Sequence, residues 1–509
     1  MKKTRKDIKK MYAIILSGAL MLGLSACGNS EKSDNTTESV TTSVVTEVQE
    51  ETEAQTEETT VSEEVTESAE SENSAFIARD DIEVTETISD SSDGGHAIEA
   101  SGEKVEYANV TVEKTGEADG DEADFYGENA AVFATDGATL TLSDIVVDTD
   151  GKHANGVFSY GEGTTVNISD SYIYTKNNCS GGLMTTGGGT TNAENLTIVT
   201  DGNSSAAIRS DRGGGTVNVT KGSYTTNGKG SPVIYSTADI TVNDATLTST
   251  ASEGVVVEGK NSVTLNNVAL TADHNQHNSD KSDYFHAVMI YQSMSGDADV
   301  GAAEFSMNGG SLTNKNGDVF FVNNTVATIS LSGAEITNED TDGLFLRAAA
   351  AGWGTEGSNG GNVTLYASDQ TIEGDILVDS VSTLNLYLTN SSALTGAINS
   401  DGSAGDVYVE LSNEATWTLT GDSYITSLTC DEDSINLNGF TLYVNGEAYE
   451  SGTASTGTKV DAKVSSSGSE GMDKPDGEQP QGDKPDGEPP QGGKPDGDGQ
   501  HGDKPDGEP

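Results

Sequence analysis

Basic residues are scarce in this chain: 26 Lys and Arg stand against 83 Asp and Glu in 509 residues, a net charge of −57. A polyanion such as nucleic acid is therefore disfavoured as a partner, because binding it depends on cationic side chains that displace its counterions. Long apolar runs are also missing. The one candidate, Ala13 to Leu24, spans about a dozen residues, short of the ~20 that a membrane-crossing helix needs. Between residues 93 and 450 no amphipathic stretch of ten or more residues has helical periodicity. No phosphate loop, serine nucleophile elbow or EF-hand ligand series is present. Gly352, Gly354 and Gly357 satisfy G-x-G-x-x-G, but no helix follows to offer its N-terminus to a phosphate, so a dinucleotide site is excluded.

The ends of the chain indicate where it resides. Lys2, Lys3, Arg5, Lys6, Lys9 and Lys10 precede the short apolar run, which closes on Leu24-Ser25-Ala26-Cys27, the layout of a secretory signal peptide over residues 1–26. The small residues before Cys27 resemble the lipobox of bacterial lipoproteins. That resemblance implies lipid attachment at Cys27, so the membrane partner is reached through lipid and the chain sits at the outer face of the cell membrane. Loss of the leader removes six basic residues and Asp7, taking the net charge from −57 to −62. Residues 27–92 are rich in Thr, Ser and Glu and read as a disordered stalk, extended by its own repulsion. Residues 451–509 carry Lys-Pro-Asp-Gly at Lys474, Lys484, Lys494 and Lys504 and read as a disordered Gly/Pro/Asp-rich tail with ten-residue repeats.

The middle, 93–450, is repetitive in form. "ATLTLSDIVV" from Ala138, "TTVNISDSYI" from Thr164, "GTVNVTKGSY" from Gly215, "DITVNDATLT" from Asp239, "NSVTLNNVAL" from Asn261, "AEFSMNGGSL" from Ala303 and "ATISLSGAEI" from Ala327 share one build. Each alternates apolar and polar residues, turns through a polar pair, and alternates again. Inward residues Leu140, Val166, Val217, Ile240, Val263, Phe305 and Ile329 recur mostly every 23 to 26 residues or near a multiple. Halves of three residues are too short to pair as hairpins. Stacking equivalent strands one coil apart satisfies them all, so Asn266-Asn267 and its equivalents are corners. The expected fold is all-β: a single-stranded right-handed parallel β-helix of about 12 coils at the usual strand spacing. This form resembles the pectate-lyase-like superfamily and uncharacterised surface β-helix proteins of Gram-positive bacteria. Cys179 and Cys430, about ten coils or ~48 Å apart along such an axis, are too distant to bridge, and both are expected as unpaired thiols.

Each coil holds another strand, with Val132, Val157, Leu183, Ile208, Ile234, Val257, Ile290, Phe321 and Leu346 taken as inward. Their neighbours Phe133, Phe158, Met184, Arg209, Tyr235, Glu258, Tyr291, Val322 and Arg347 then form an outer column. Either this column is an exposed aromatic stripe suited to a glycan lying along the axis, or the inserted loops cover it, or its facing is reversed. Ligand-binding candidates are Phe133, Phe158, Arg209, Tyr235, Tyr291, Arg347 and Trp353, the last in a glycine-rich insertion. Metal candidates are His274, His277 and His286 in the insertion 271–286, and Asp119, Asp121 and Asp124, where calcium is the ion considered.

Enzymes of the resembling superfamily act on polysaccharides with calcium-held aspartates and a basic residue, or with close carboxylates. The residues placed to serve here are Arg209, Asp211, Glu258 and Arg347. The solenoid carries 12 basic against 50 acidic residues, a net of −38, which repels an acidic polysaccharide unless a metal bridges it. The favoured expectation is a monomeric, lipid-anchored, adhesin-like protein that binds polysaccharide or a host surface glycan or protein. A polysaccharide lyase or glycoside hydrolase of the β-helix type is the alternative, and a passive surface spacer a further one.

Overall fold

The computed structural model of the protein describes residues 76–403 and 405–463. Cys27, the leader, the stalk up to residue 75 and the tail repeats lie outside the described residues. The described chain is a parallel β-helix. One coil illustrates the build. Thr139–Ser143 runs as a strand with alternate residues buried, Asp144 turns the corner, Val146–Thr149 continues, and Val157–Tyr160 crosses the other side before the next coil begins. Each strand pairs in parallel with its equivalents in the coils before and after: Leu140 lies beside Val166, Val147 beside Ile173, and Val157 between Val132 and Leu183. Two long sheets result, of 21 and 11 strands.

The core lies between them. From the larger sheet it receives the row Leu140, Val166, Thr191, Val217, Ile240, Val263, Phe305, Ile329, Leu365. The expected inward residues are all in this row, in register. Thr191 fills the rung where apolar alternation breaks; its hydroxyl meets that of Thr185 across the core at 2.7 Å. A buried hydroxyl is tolerated because it is bonded. Phe305, Phe320 and Phe345 form a run of edge-to-face rings within the core.

The Asn pair is indeed a corner. Asn267 has φ 53°, and equivalent positions Asp144, Asp170, Asn195, Lys221, Asp244, Gly309 and Gly333 are likewise left-handed. Asn and Asp tolerate this region better than other residues with side chains. The amides also form ladders between coils: Asn308 to Asn266 and Asn266 to Asn243, each at 2.9 Å, and Asn267 to Asp244 at 2.7 Å. Near the C-terminal end an Asn445-Gly446 turn with both φ positive reverses the chain into the antiparallel pair Leu442–Val444 and Glu447–Ala448, the turn chemistry that a two-residue hairpin needs.

The folded part extends beyond both expected boundaries. Glu86–Asp90 pairs with Val110–Lys114, and its Asp90 accepts from the fully buried Lys114 ammonium at 2.9 Å. Residues 451–463 lie along the solenoid, where Val460 exchanges hydrogen bonds with Asn385 and Lys463 donates its backbone N–H to Asn362. Both segments find ladder or side-chain partners that their composition does not reveal. Cys430 is a buried free thiol. Cys179 is not a free thiol, which corrects that half of the expectation; no bridge joins it to Cys430.

Candidate functional site

The 11-stranded sheet carries the outer column, and pairing sets its register. Phe133, Phe158, Met184, Arg209 and Tyr235 stack in that order. The row continues as Val256, Met289, Phe321 and Arg347, while Glu258 and Tyr291 pair with each other two residues further along the same face. Two corrections follow. Val322 points into the main core, and Phe321, expected inward, points outward. A slip of two residues preserves facing and a slip of one reverses it. "GDVFFVN" has apolar residues at every middle position and so cannot reveal its own phase.

The column is not an exposed stripe, because insertions cover it. Phe133, Phe158 and Met184 form a buried cluster with Ala130, against which Tyr160 packs. The insertion carrying the short helix Asp121–Phe125 stands over it. Thr186 donates to the Phe125 carbonyl at 2.7 Å and the Tyr126 ring meets Tyr160 edge-on. Only 9% of Phe133 is exposed. Phe133 and Phe158 are thus removed as surface ligand contacts. Arg212 ties two insertions together: it pairs with Asp121 at 2.9 Å and Asp297 at 2.7 Å, with its guanidinium 3.7 Å from the Phe125 ring centre. A second pair of loops is joined by Lys281 and Gly352, which exchange backbone and side-chain bonds.

Beneath these loops lies a cavity of about 140 Å³. Its lining includes Arg209, Asp211, Tyr235, Tyr291, Asp297 and Trp353, with Glu253, His274, His277 and His286 at its wall. Glu258 sits behind the tyrosines. Its carboxylate accepts from the hydroxyls of Tyr235 and Tyr291, the latter at 3.1 Å, and from Ser293. Burial and the neighbouring carboxylate hold both phenols well above their ordinary pKa of 10; burial likewise raises the Glu258 carboxyl. Arg209, 4% exposed, gives Nε and Nη2 to Asp211 at 3.2 and 2.7 Å, while its buried Nη1 has no partner. Burial outweighs this attraction and pushes the Asp211 carboxyl up to about 6. Trp353 stands edge-on to Tyr291 with ring centres 5.2 Å apart, and its buried Nε1 also lacks a partner. Asn359 pins the Trp353 loop by donating to the carbonyls of Ala351 and Trp353.

Arg347 is drawn away from the cavity. It pairs with Asp318 at 2.5 Å and lies 3.8 Å from the Tyr284 ring centre. The Asp119, Asp121 and Asp124 candidates do not converge on a common ion position: Asp119 pairs with Lys152, Asp121 with Arg212, and buried Asp124 faces His153 at 3.2 Å. A calcium cage of 6 to 8 oxygens is not assembled there. The histidines fare differently. His274 and His286 meet Glu253, whereas His277 stacks on Phe285.

Glu253, Ser293, Asp297 and Tyr284 escaped sequence reading. Glu253 precedes a strand without any motif, and Asp297 gains meaning only through Arg212, 85 residues away in the chain. Comparison with protein-family models, curated proteins and solved structures finds no match to this chain.

Proposed function

We propose that the protein is a lipid-anchored, cell-surface β-helix that binds glycan, taking a short or terminal saccharide segment into the loop-roofed cavity rather than laying a chain along an open stripe. One observation carries the reading. Tyr235, Tyr291 and Trp353 meet in one cavity with two buried, partnerless donors, Arg209 Nη1 and Trp353 Nε1. Aromatic rings offer apolar faces to the C–H side of a sugar, and an unmatched buried donor is stabilised by a ligand hydroxyl. Asp211, Glu253 and Asp297 on the same wall favour neutral or amino sugars over polyanionic ones.

Tryptophan fluorescence tests it. The chain has two tryptophans, and Trp417 is fully buried with its N–H bonded to Gly396. A bound saccharide should change the emission of Trp353 alone. A panel of neutral, amino and acidic oligosaccharides titrated into wild type should yield a saturable change that Trp353→Phe abolishes. Silence across the panel, together with no retention on immobilised glycans, would refute the reading. Hydrolysis or elimination in the same cavity is the second reading, favoured by the Asp211 carboxyl, whose pKa of about 6 suits a general acid or base near neutrality. Release of reducing ends that stops in Asp211→Asn would establish it.

A further inference from the structure

We propose that Glu253, His274 and His286 form a binding site for one divalent transition-metal ion, zinc above all, at the cavity wall. The three residues come from separate places. Glu253 precedes the strand Val255–Glu258, His274 lies at the start of the inserted loop, and His286 opens the strand His286–Tyr291. Glu253 Oε1 stands 3.8 Å from His274 Nδ1 and 3.5 Å from His286 Nε2, and one ligand atom from each residue lies within 4.8 Å of the others. Around a tetrahedral ion with bonds of about 2.0–2.2 Å, ligand atoms stand roughly 3.4 Å apart. The cluster therefore needs a closure of at most about 1.4 Å between any two ligand atoms, within reach of side-chain rotation.

A second observation points to a ligand. His286 is 2% exposed, and neither of its ring nitrogens has a hydrogen-bond partner. Buried polar atoms are rarely left unbonded, and an ion on Nε2 would satisfy one of them. His274 Nδ1 accepts only a long contact, 3.3 Å, from the His286 backbone N–H; that contact marks Nδ1 as the unprotonated nitrogen, on the side of Glu253, and an ion bound there would take its place. Ser252 donates to the other oxygen of Glu253 and orients the carboxylate, the kind of outer contact that metal ligands carry. Two imidazoles and a carboxylate suit zinc and its transition-metal neighbours, not calcium or magnesium, which take oxygen. All three residues line the cavity, so the remaining coordination position opens toward whatever occupies it. An ion there would also fasten the inserted loop to the sheet.

The full-length chain, without a polyhistidine tag, would be stripped with EDTA, dialysed against zinc chloride and then against metal-free buffer, and its zinc content measured. One equivalent should remain in wild type and in His277→Ala, and should be lost from Glu253→Gln and from His274→Ala/His286→Ala. No retained zinc in wild type, or equal retention in the double variant, overturns the proposal. Since His286 is deeply buried and its replacement can unfold the coil, cobalt loading of the unaltered protein supplies a second measurement. Visible absorption of low-coordinate cobalt with nitrogen and oxygen ligands supports the site; no such absorption, or a thiolate charge-transfer band, overturns it. No saccharide is present in either measurement, so failure of the glycan reading and failure of this one are separately visible.

Discussion

Removing the Arg209 guanidinium tests how the cavity wall is held. Arg209 and Asp211 are both almost fully buried, two guanidinium N–H groups reach one carboxylate oxygen, and the other oxygen takes the Arg212 backbone N–H at 3.1 Å. In Arg209→Ala the carboxylate stays buried with one neutral donor, which costs about 3–5 kcal/mol at pH 7.5. Arg209→Leu/Asp211→Leu removes both charges and should fall within about 1 kcal/mol of wild type, because apolar replacement of a whole buried pair is commonly neutral. The cost must also depend on pH. Burial raises the Asp211 carboxyl to about 6 in the folded state, against 3.8 ordinarily. A raised folded pKa means stability fully present below 3.8 and lost as pH rises through about 6. Without Arg209 the folded pKa climbs further, so between pH 7.5 and 6 the folded variant holds more of that proton than folded wild type, which reaches half protonation only near about pH 6. At about 1.4 kcal/mol per pH unit, its deficit should shrink by up to about 2 kcal/mol over that interval and stay level between pH 6 and 5. Urea titrations followed by circular dichroism, with midpoints compared at matched slopes, measure this. A cost below about 1 kcal/mol at pH 7.5, an equal cost at pH 6, or a double variant as weak as the single one would refute the reasoning.

Three further outcomes are expected. Asn267 holds φ 53° and donates to Asp244; Asn267→Ala should cost about 1–2 kcal/mol in thermal or urea unfolding, while Asn267→Gly, free to adopt that φ, should cost less. Phe305→Ala, at a fully buried ring packed on Phe320, should cost about 3–5 kcal/mol. Hydrogen exchange should then rise most in the adjoining coils, as expected where each repeat contacts only its neighbours. The saccharide-dependent emission of Trp353 and one zinc per chain on Glu253, His274 and His286 complete the set.

Much of the scaffold was legible because the solenoid is written in local chemistry. Two-residue alternation selects strands, the polar pair selects a corner, and recurrence stacks one coil on the next, so Leu140 to Ile329 fell into a single row without knowledge of any long-range contact. The Thr191 rung and the phase of Phe321 were not legible: a bonded hydroxyl pair replaces an apolar residue in one, and uninterrupted apolar residues hide the facing in the other. The outer column was found but its surroundings were not. Whether Tyr235 and Tyr291 meet solvent depends on loops inserted dozens of residues away.

By itself, then, the sequence determined the fold class, the corner chemistry and the membership of Arg209, Tyr235 and Tyr291 in one column, all of which follow from the pattern of near neighbours, and left open which way that column faces. Only the tertiary structure decided that four insertions converge on one sheet face. Arg212 braces two of them, Lys281 and Gly352 join the others, and Glu253 reaches His274 and His286 beneath them. These partners lie on different coils. Stacking sets their separation in space, and no local pattern along the chain records it.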